Sequence, residues 1–217
     1  ELLARLGVAR VIAGFDFYFG QGRRGNADTL RAAGLQVTVV EEVMDEGAGH
    51  LTFSSSNIRQ SLQQGQPRQA AQELGYDWMI CGTVVPGDQR GRTIGFPTAN
   101  IIVEPGVEPA RGIYATWVRE TGMAEPLWMG AGYFGDRPTF NTNRTFFEVY
   151  LLDQVIDLYG RELTVQFVEL IRPDQSFKSV EALIAQMKSD CEAARKILSV
   201  NKVAAFPLAK LQAQGSI

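Results

Sequence analysis

From Trp78 onward the sequence is divided into six short segments: "WMICGTVV", "TANIIV", "GIYATWVRE", "PLWMGAGYF", "TFFEVYLLD" and "ELTVQFVELI". Each is rich in β-branched and aromatic residues, and loops of Gly, Pro and Asp separate them. Six strands at this spacing predict an antiparallel barrel. The helix "SVEALIAQMKSDCEAARKIL" follows, with Ser179 as its N-cap. Val180, Leu183, Ile184, Met187, Cys191, Ala194 and Leu198 recur along it at helical spacing and form its apolar stripe.

The first third has a different texture. "ARVIAGFDF" reads as a strand, "NADTLRAAG" as a helix capped by Asn26 and closed by Gly34, and "LQVTVVEEV" as a second strand. Strand, helix, strand predicts a parallel α/β sheet. "SSSNIRQSLQQGQPRQAAQELG" then gives two helices parted by a Gly-Gln-Pro break, the second ending at Gly75. Two strands do not make a stable open sheet alone. The sequence opens on Glu1, with Leu2, Leu3 and Leu6 continuing a helical stripe. Both features lead us to expect that it begins inside a longer protein. The expected divisions are residues 1–75, a barrel domain over 76–200, and a tail over 201–217.

Composition narrows the partners. Twenty-one Lys and Arg stand against 24 Asp and Glu, a net charge of −3, which speaks against nucleic acid as the main partner. Cys81 and Cys191 are far apart and share no metal-ligand spacing. No apolar run approaches the roughly 20 residues of a membrane span, and no signal-peptide pattern opens the sequence. A cytoplasmic protein without membrane partners is expected.

Three stretches carry candidate chemistry. In "GTVVPGDQRGRTIGFPTAN", Gly82, Gly87 and Gly91 let backbone approach a phosphate, and Arg90 and Arg92 offset its charge. Thr98 and Asn100, two apart on a strand, point to one face. A hydroxyl and an amide oxygen are hard ligands suited to Mg²⁺. Spacing alone also fits a glycine-rich hairpin whose Thr and Asn merely satisfy a turn. In "TFFEVYLLD", Glu148 has apolar neighbours on both sides, where a carboxylate is costly unless paired. It is either a structural acid paired with an arginine or a general base. In "SSSNIRQSL", Ser55, Ser56 and Arg59 at a helix start could bind an anion or simply cap the helix. His50, the only histidine, has no nucleophile-type partner in its loop, and "EEVMDEG" reads as a solvated acidic turn. Tyr114, Trp117 and Trp128 read as barrel core or rim.

Taken in order, these stretches resemble riboflavin kinase, which in bacteria is fused to FMN adenylyltransferase as FAD synthetase. The similarity runs from about Val8 to Leu198. It rests on the flap Gly82–Arg92, "GFPTAN" (Gly95–Asn100), "GDRPTF" (Gly135–Phe140), "FEVYLLD" (Phe147–Asp153) and the ending "LYGRELTVQFVELIRPDQSFKSVEALIAQMKSD". The resemblance implies transfer of the γ-phosphoryl of ATP to the 5′-hydroxyl of riboflavin, giving FMN. Thr98 and Asn100 would contact Mg²⁺ and the ATP phosphates, and Glu148 would be the base. Gly82, Gly87, Arg90, Gly91 and Arg92 would lie over the nucleotide. Arg172, and Phe177 in the "PDQSF" loop, would face the flavin.

The first third resembles the adenylyltransferase module. "VIAGFDFYFGQGRRGN" is similar to that module's strand and loop, and "SSSNIRQSL" to its phosphate signature, which implies nucleotide contacts for Ser55, Ser56 and Arg59. That family's H-x-G-H motif is not in this sequence, so FAD formation is not expected of it. Pro86, Tyr133 and Tyr18 stand where the family usually has other residues, and Tyr133 would reshape the rim of the site. The expected class is α+β: a six-stranded antiparallel barrel of Greek-key type with a C-terminal helix, preceded by the C-terminal part of a Rossmann-like nucleotidyltransferase domain. The alternative is a non-catalytic flavin- or nucleotide-binding regulatory module.

Overall fold

A computed structural model of the chain describes residues 5–42, 53–87, 90–103, 106–135 and 146–201. They fall into two compact units, 1–54 and 55–217. In the first, β1 (Arg10–Gly14) and β2 (Gln36–Val40) pair in parallel, Arg10 opposite Gln36 and Gly14 opposite Val40. Helix α1 (Ala27–Ala32) connects them. Asn26 caps it reciprocally: Thr29 N donates to Asn26 Oδ1 at 3.0 Å, and Asn26 N donates to Thr29 Oγ1 at 3.2 Å. Gly34, at φ 85°, takes the left-handed position just past its end. Among the described residues this unit shows one parallel pair and its crossover helix, and no further strand of a Rossmann-like sheet.

The second unit begins with α2 (Ser55–Gln63) and α3 (Pro67–Leu74), broken where Gly65 takes φ 71° and Pro67 starts the next helix. Packing therefore divides the chain at 54/55, whereas composition changes at 75/76. The reason is local. Leu62 and Ala70 are buried, Ala110 N donates to the Leu62 carbonyl at 2.9 Å, and Arg68 pairs with Glu169 of the barrel.

The barrel comprises β3 (Met79–Val85), β4 (Thr98–Ile102), β5 (Gly112–Glu120), β6 (Trp128–Gly135), β7 (Phe146–Leu151) and β8 (Glu162–Pro173). It closes in the order β3-β4-β7-β6-β5-β8, and every neighbouring pair is antiparallel. Strands β5, β6 and β7 form a meander, and β4 returns beside β7, which is a Greek key. A single helical turn, α4 (Arg90–Thr93), occupies part of the expected glycine-rich loop, and α5 (Val180–Val200) follows the last strand.

Strand alternation sorts side chains into two cores. Ile101, Tyr114, Phe147, Val149 and Phe167 fill the interior with Trp128, and the rings of Tyr114 and Phe147 each lie 5.0 Å from Phe167. Gly132 is required here, because the Phe147 ring occupies the space a Cβ would need. Burial pushes the Tyr114 hydroxyl upward in pKa, and that hydroxyl donates to the Ala110 carbonyl. Outside the barrel, Ala115, Trp117 and Val168 pack against Cys191, Ala194 and Leu198 of α5. Of the three aromatics read as core or rim, Trp117 alone lies under the helix. Val180 departs from the expected stripe and is exposed, and the face of α5 packed on the barrel begins at Ile184. Ser179 caps the helix through Ala182 N at 3.2 Å. His50, most of "EEVMDEG", most of "GDRPTF", the side chain of Arg90 and residues 202–217 lie outside the described residues.

Candidate active site

The alternation that sends Ile101, Phe147 and Val149 inward sends Thr98, Asn100, Glu148 and Tyr150 outward. The site is therefore on the barrel's outer surface. Backbone pairing sets Asn100 opposite Glu148 and Glu148 opposite Tyr133; in the next row it sets Thr98 opposite Tyr150 and Tyr150 opposite Ala131. The Thr98 hydroxyl donates to Glu148 Oε2 at 3.5 Å, and Asn100 Nδ2 donates to the Thr98 carbonyl at 3.4 Å. Thus a hydroxyl, a carboxamide and a carboxylate meet on two adjacent strands.

A cavity of about 320 Å³ opens above them, between the barrel face, α5 and the β8–α5 loop. Its walls include Phe96, Tyr133, Tyr150, Phe177, Leu183 and Met187, and its polar groups include Thr98, Glu148, Arg172 and Asp190. The lining is largely apolar with a few polar groups, the character of a small-molecule site. A second cavity of about 560 Å³ shares Thr98 and is lined by Arg92, Pro97, Gln154, Asp157 and Tyr159. Thr98 is common to both.

The expected site residues divide accordingly. Thr98, Glu148, Gly91, Arg172 and Phe177 line the first cavity, and Arg92 the second. Asn100 is 5% exposed and sits beneath Gly87, whose missing Cβ is what leaves room for the carboxamide. Gly91 likewise lets the chain fold back, with Phe96 N donating to its carbonyl at 2.8 Å and the Phe96 carbonyl filling its Cβ position. Gly82 has a structural duty: the Ile102 carbonyl of β4 crosses where its Cβ would be. Ser55, Ser56 and Arg59 share the start of α2, with Arg59 Nη1 donating to Ser55 Oγ at 3.4 Å, and none of them lines either cavity.

Asp190 also lines the first cavity, and sequence reasoning missed it. It accepts from Arg172 Nε at 3.0 Å (Oδ1) and Nη2 at 2.9 Å (Oδ2), and from Gln186 Nε2 at 2.9 Å. Arg172 also lies 5.5 Å over the Phe177 ring and donates to the Pro173 carbonyl at 3.1 Å. The signal was present: Asp190 is three residues after Met187 and beside Cys191, on the apolar stripe of α5. An acid there predicts a basic partner by the same reasoning applied to Glu148.

Among the described residues, no group of three or more His, Cys, Asp or Glu could hold a metal ion. The oxygens of Thr98, Asn100 and Glu148 are a different kind of donor set: hard and few, leaving most of a Mg²⁺ shell to phosphate and water. That composition fits the ion. Among the described residues no helix is long and apolar enough to cross a membrane.

The family model described as "Flavokinase: Riboflavin kinase" matches residues 74–198. The bifunctional riboflavin kinase/FMN adenylyltransferase of Escherichia coli (strain K12) is 38% identical over 207 residues, covering 94% of this chain and 64% of that protein. Its counterpart from Listeria monocytogenes is 39% identical over 193 residues, covering 87% and 60%. The chain thus spans less than two thirds of the length of these relatives. A solved structure named as a macrolide-efflux protein from Streptococcus pneumoniae aligns with a TM-score of 0.69 at 32% identity, over 89% of this chain and 62% of that one. On the family match, which takes in the whole barrel and most of α5, the chain belongs to the riboflavin kinase family.

Proposed function

We propose that the barrel unit is an ATP-dependent riboflavin kinase that phosphorylates the 5′-hydroxyl of riboflavin to give FMN. The observation that carries this reading is the contact of Glu148, in the apolar slot, with Thr98, which lines both that slot and a second, arginine-bearing cavity. Riboflavin enters the slot among Phe96, Tyr150 and Phe177, its ribityl chain running toward Glu148. ATP takes the second cavity beside Arg92, its terminal phosphate at Thr98. Phosphoryl transfer asks a protein mainly to position its reactants and offset charge. Glu148 orients the acceptor hydroxyl and accepts its proton as the new P–O bond forms and ADP departs. Thr98 and Asn100, with Gly87 resting on the carboxamide, hold the phosphate end and would bind Mg²⁺, which when bound supplies charge neutralisation at the phosphates. The flap around Gly87, Arg90 and Gly91 covers the nucleotide.

Ser55, Ser56 and Arg59 fit a phosphate contact belonging to the adenylylation of FMN, a second reaction of the bifunctional relatives. We place the protein in the cytoplasm with small molecules as its partners rather than membrane, and the net charge of −3 speaks against nucleic acid. The test is turnover: riboflavin, ATP and Mg²⁺ with the parent chain should give FMN, and Glu148→Gln should give almost none. Flavin binding without FMN formation would favour a regulatory binding module instead.

A further inference from the structure

We propose that Tyr133 is a positioning residue that latches the β8–α5 loop over the flavin slot and so sets affinity for the flavin without taking part in phosphoryl transfer. The proposal rests on the kinase reading for its ligand and on separate contacts for its mechanism. Tyr133 stands directly across the ladder from Glu148, on the side away from Asn100. Its ring is therefore a wall of the cavity next to the proposed base. The hydroxyl reaches beyond the strand and donates to Asp174 Oδ2 at 3.1 Å. The other oxygen of that carboxylate accepts from Gln175 N at 2.9 Å, which orients the acceptor.

The tyrosine is itself seated. Its phenol lies where a Cβ on Gly135 would be, so only glycine at 135 leaves the ring in place. The loop it holds carries Phe177, whose ring lines the same cavity. At its start the loop is fastened separately, by the Arg172–Asp190 pair and by Arg172 Nη1 on the Pro173 carbonyl. One anchor ties the loop to α5 and the other ties it to β6, and the slot lies between. A loop fixed at only one of these points presents Phe177 less often in the closed position, and apparent affinity falls by that fraction.

Four variants test this: Tyr133→Phe, Asp174→Ala, the double variant, and Asp174→Asn, whose amide keeps one oxygen for Gln175 N and offers an N–H to the Tyr133 hydroxyl. Riboflavin affinity is read by quenching of flavin fluorescence, and KM and kcat by FMN formation. A lost hydrogen bond of ordinary strength predicts weakening of roughly 3- to 10-fold for Y133F and for D174A. The double variant should be no weaker than either single one, and D174N should be close to the parent. kcat and the KM for ATP should stay within about twofold. Additive losses, a fall in kcat with flavin affinity unmoved, or parental behaviour of Y133F would overturn the latch. FMN formation with Y133F indistinguishable from the parent refutes the latch and leaves the kinase. Riboflavin binding in the predicted order with no FMN refutes the kinase and leaves the latch. No riboflavin binding by the parent overturns both.

Discussion

Asn100 and Glu148 are direct cross-strand partners on β4 and β7, their side chains on the same outer face of the barrel. Side chains so placed have Cβ atoms about 5 Å apart. The amide that would face phosphate and the acid that would face the acceptor hydroxyl are therefore held at one spacing by backbone hydrogen bonds rather than by a mobile loop.

Glu148→Gln keeps the shape of the side chain and removes its basicity. The expected result is a fall in kcat of about 100- to 10,000-fold, the range for a lost general base, with riboflavin affinity nearly unchanged. Steady-state rates of FMN formation beside a fluorescence titration check it. Equal losses in both quantities would mean that Glu148 binds substrate rather than taking its proton.

Gly87→Ala introduces a Cβ into the space held by the Asn100 carboxamide. Displacing that group by even an ångström should lower kcat/KM for ATP by about 10- to 100-fold while leaving riboflavin binding intact. Varying ATP and Mg²⁺ at saturating riboflavin separates this from a general loss of fold.

Asp190→Ala leaves the Arg172 side chain, only 16% exposed, without its bidentate partner. Breaking a buried pair from one side costs about 3–5 kcal/mol, so urea unfolding should shift clearly. Asp190→Asn retains an acceptor oxygen and should cost less. A stability equal to the parent in D190A would show that the pair contributes nothing net.

Cys191 is buried against the barrel, and loss of solvation is the main cause that pushes its thiol up to about 11 from an ordinary 9.0. The folded state thus holds this proton more tightly than the unfolded chain. Its contribution to stability is complete below about pH 9 and is lost as pH rises toward 11. Cys81 is exposed. At pH 8 a thiol reagent should modify Cys81 promptly and Cys191 only on unfolding, as peptide mapping would show.

Strand and helix positions were legible in the sequence because their signals are local. Alternating β-branched and aromatic residues placed all six barrel strands, Asn26 and Ser179 marked helix starts, and Gly75 marked an end. The pairing of Thr98 with Asn100 on one face followed from the two-residue period of a strand. Glu148 stood out as an acid among apolar neighbours.

Other features were set by contacts between residues far apart in the chain, and only the tertiary structure decided them. The barrel order put β7 next to β4 and β6, which brought Glu148 between Asn100 and Tyr133. Packing of α5 on the outer face made the slot and matched Arg172 to Asp190. Glycines of one flap proved to have different duties, Gly82 admitting a neighbouring strand and Gly87 admitting a side chain. A residue's period along the chain fixes which way it points, and only closure of the barrel decides what it meets there.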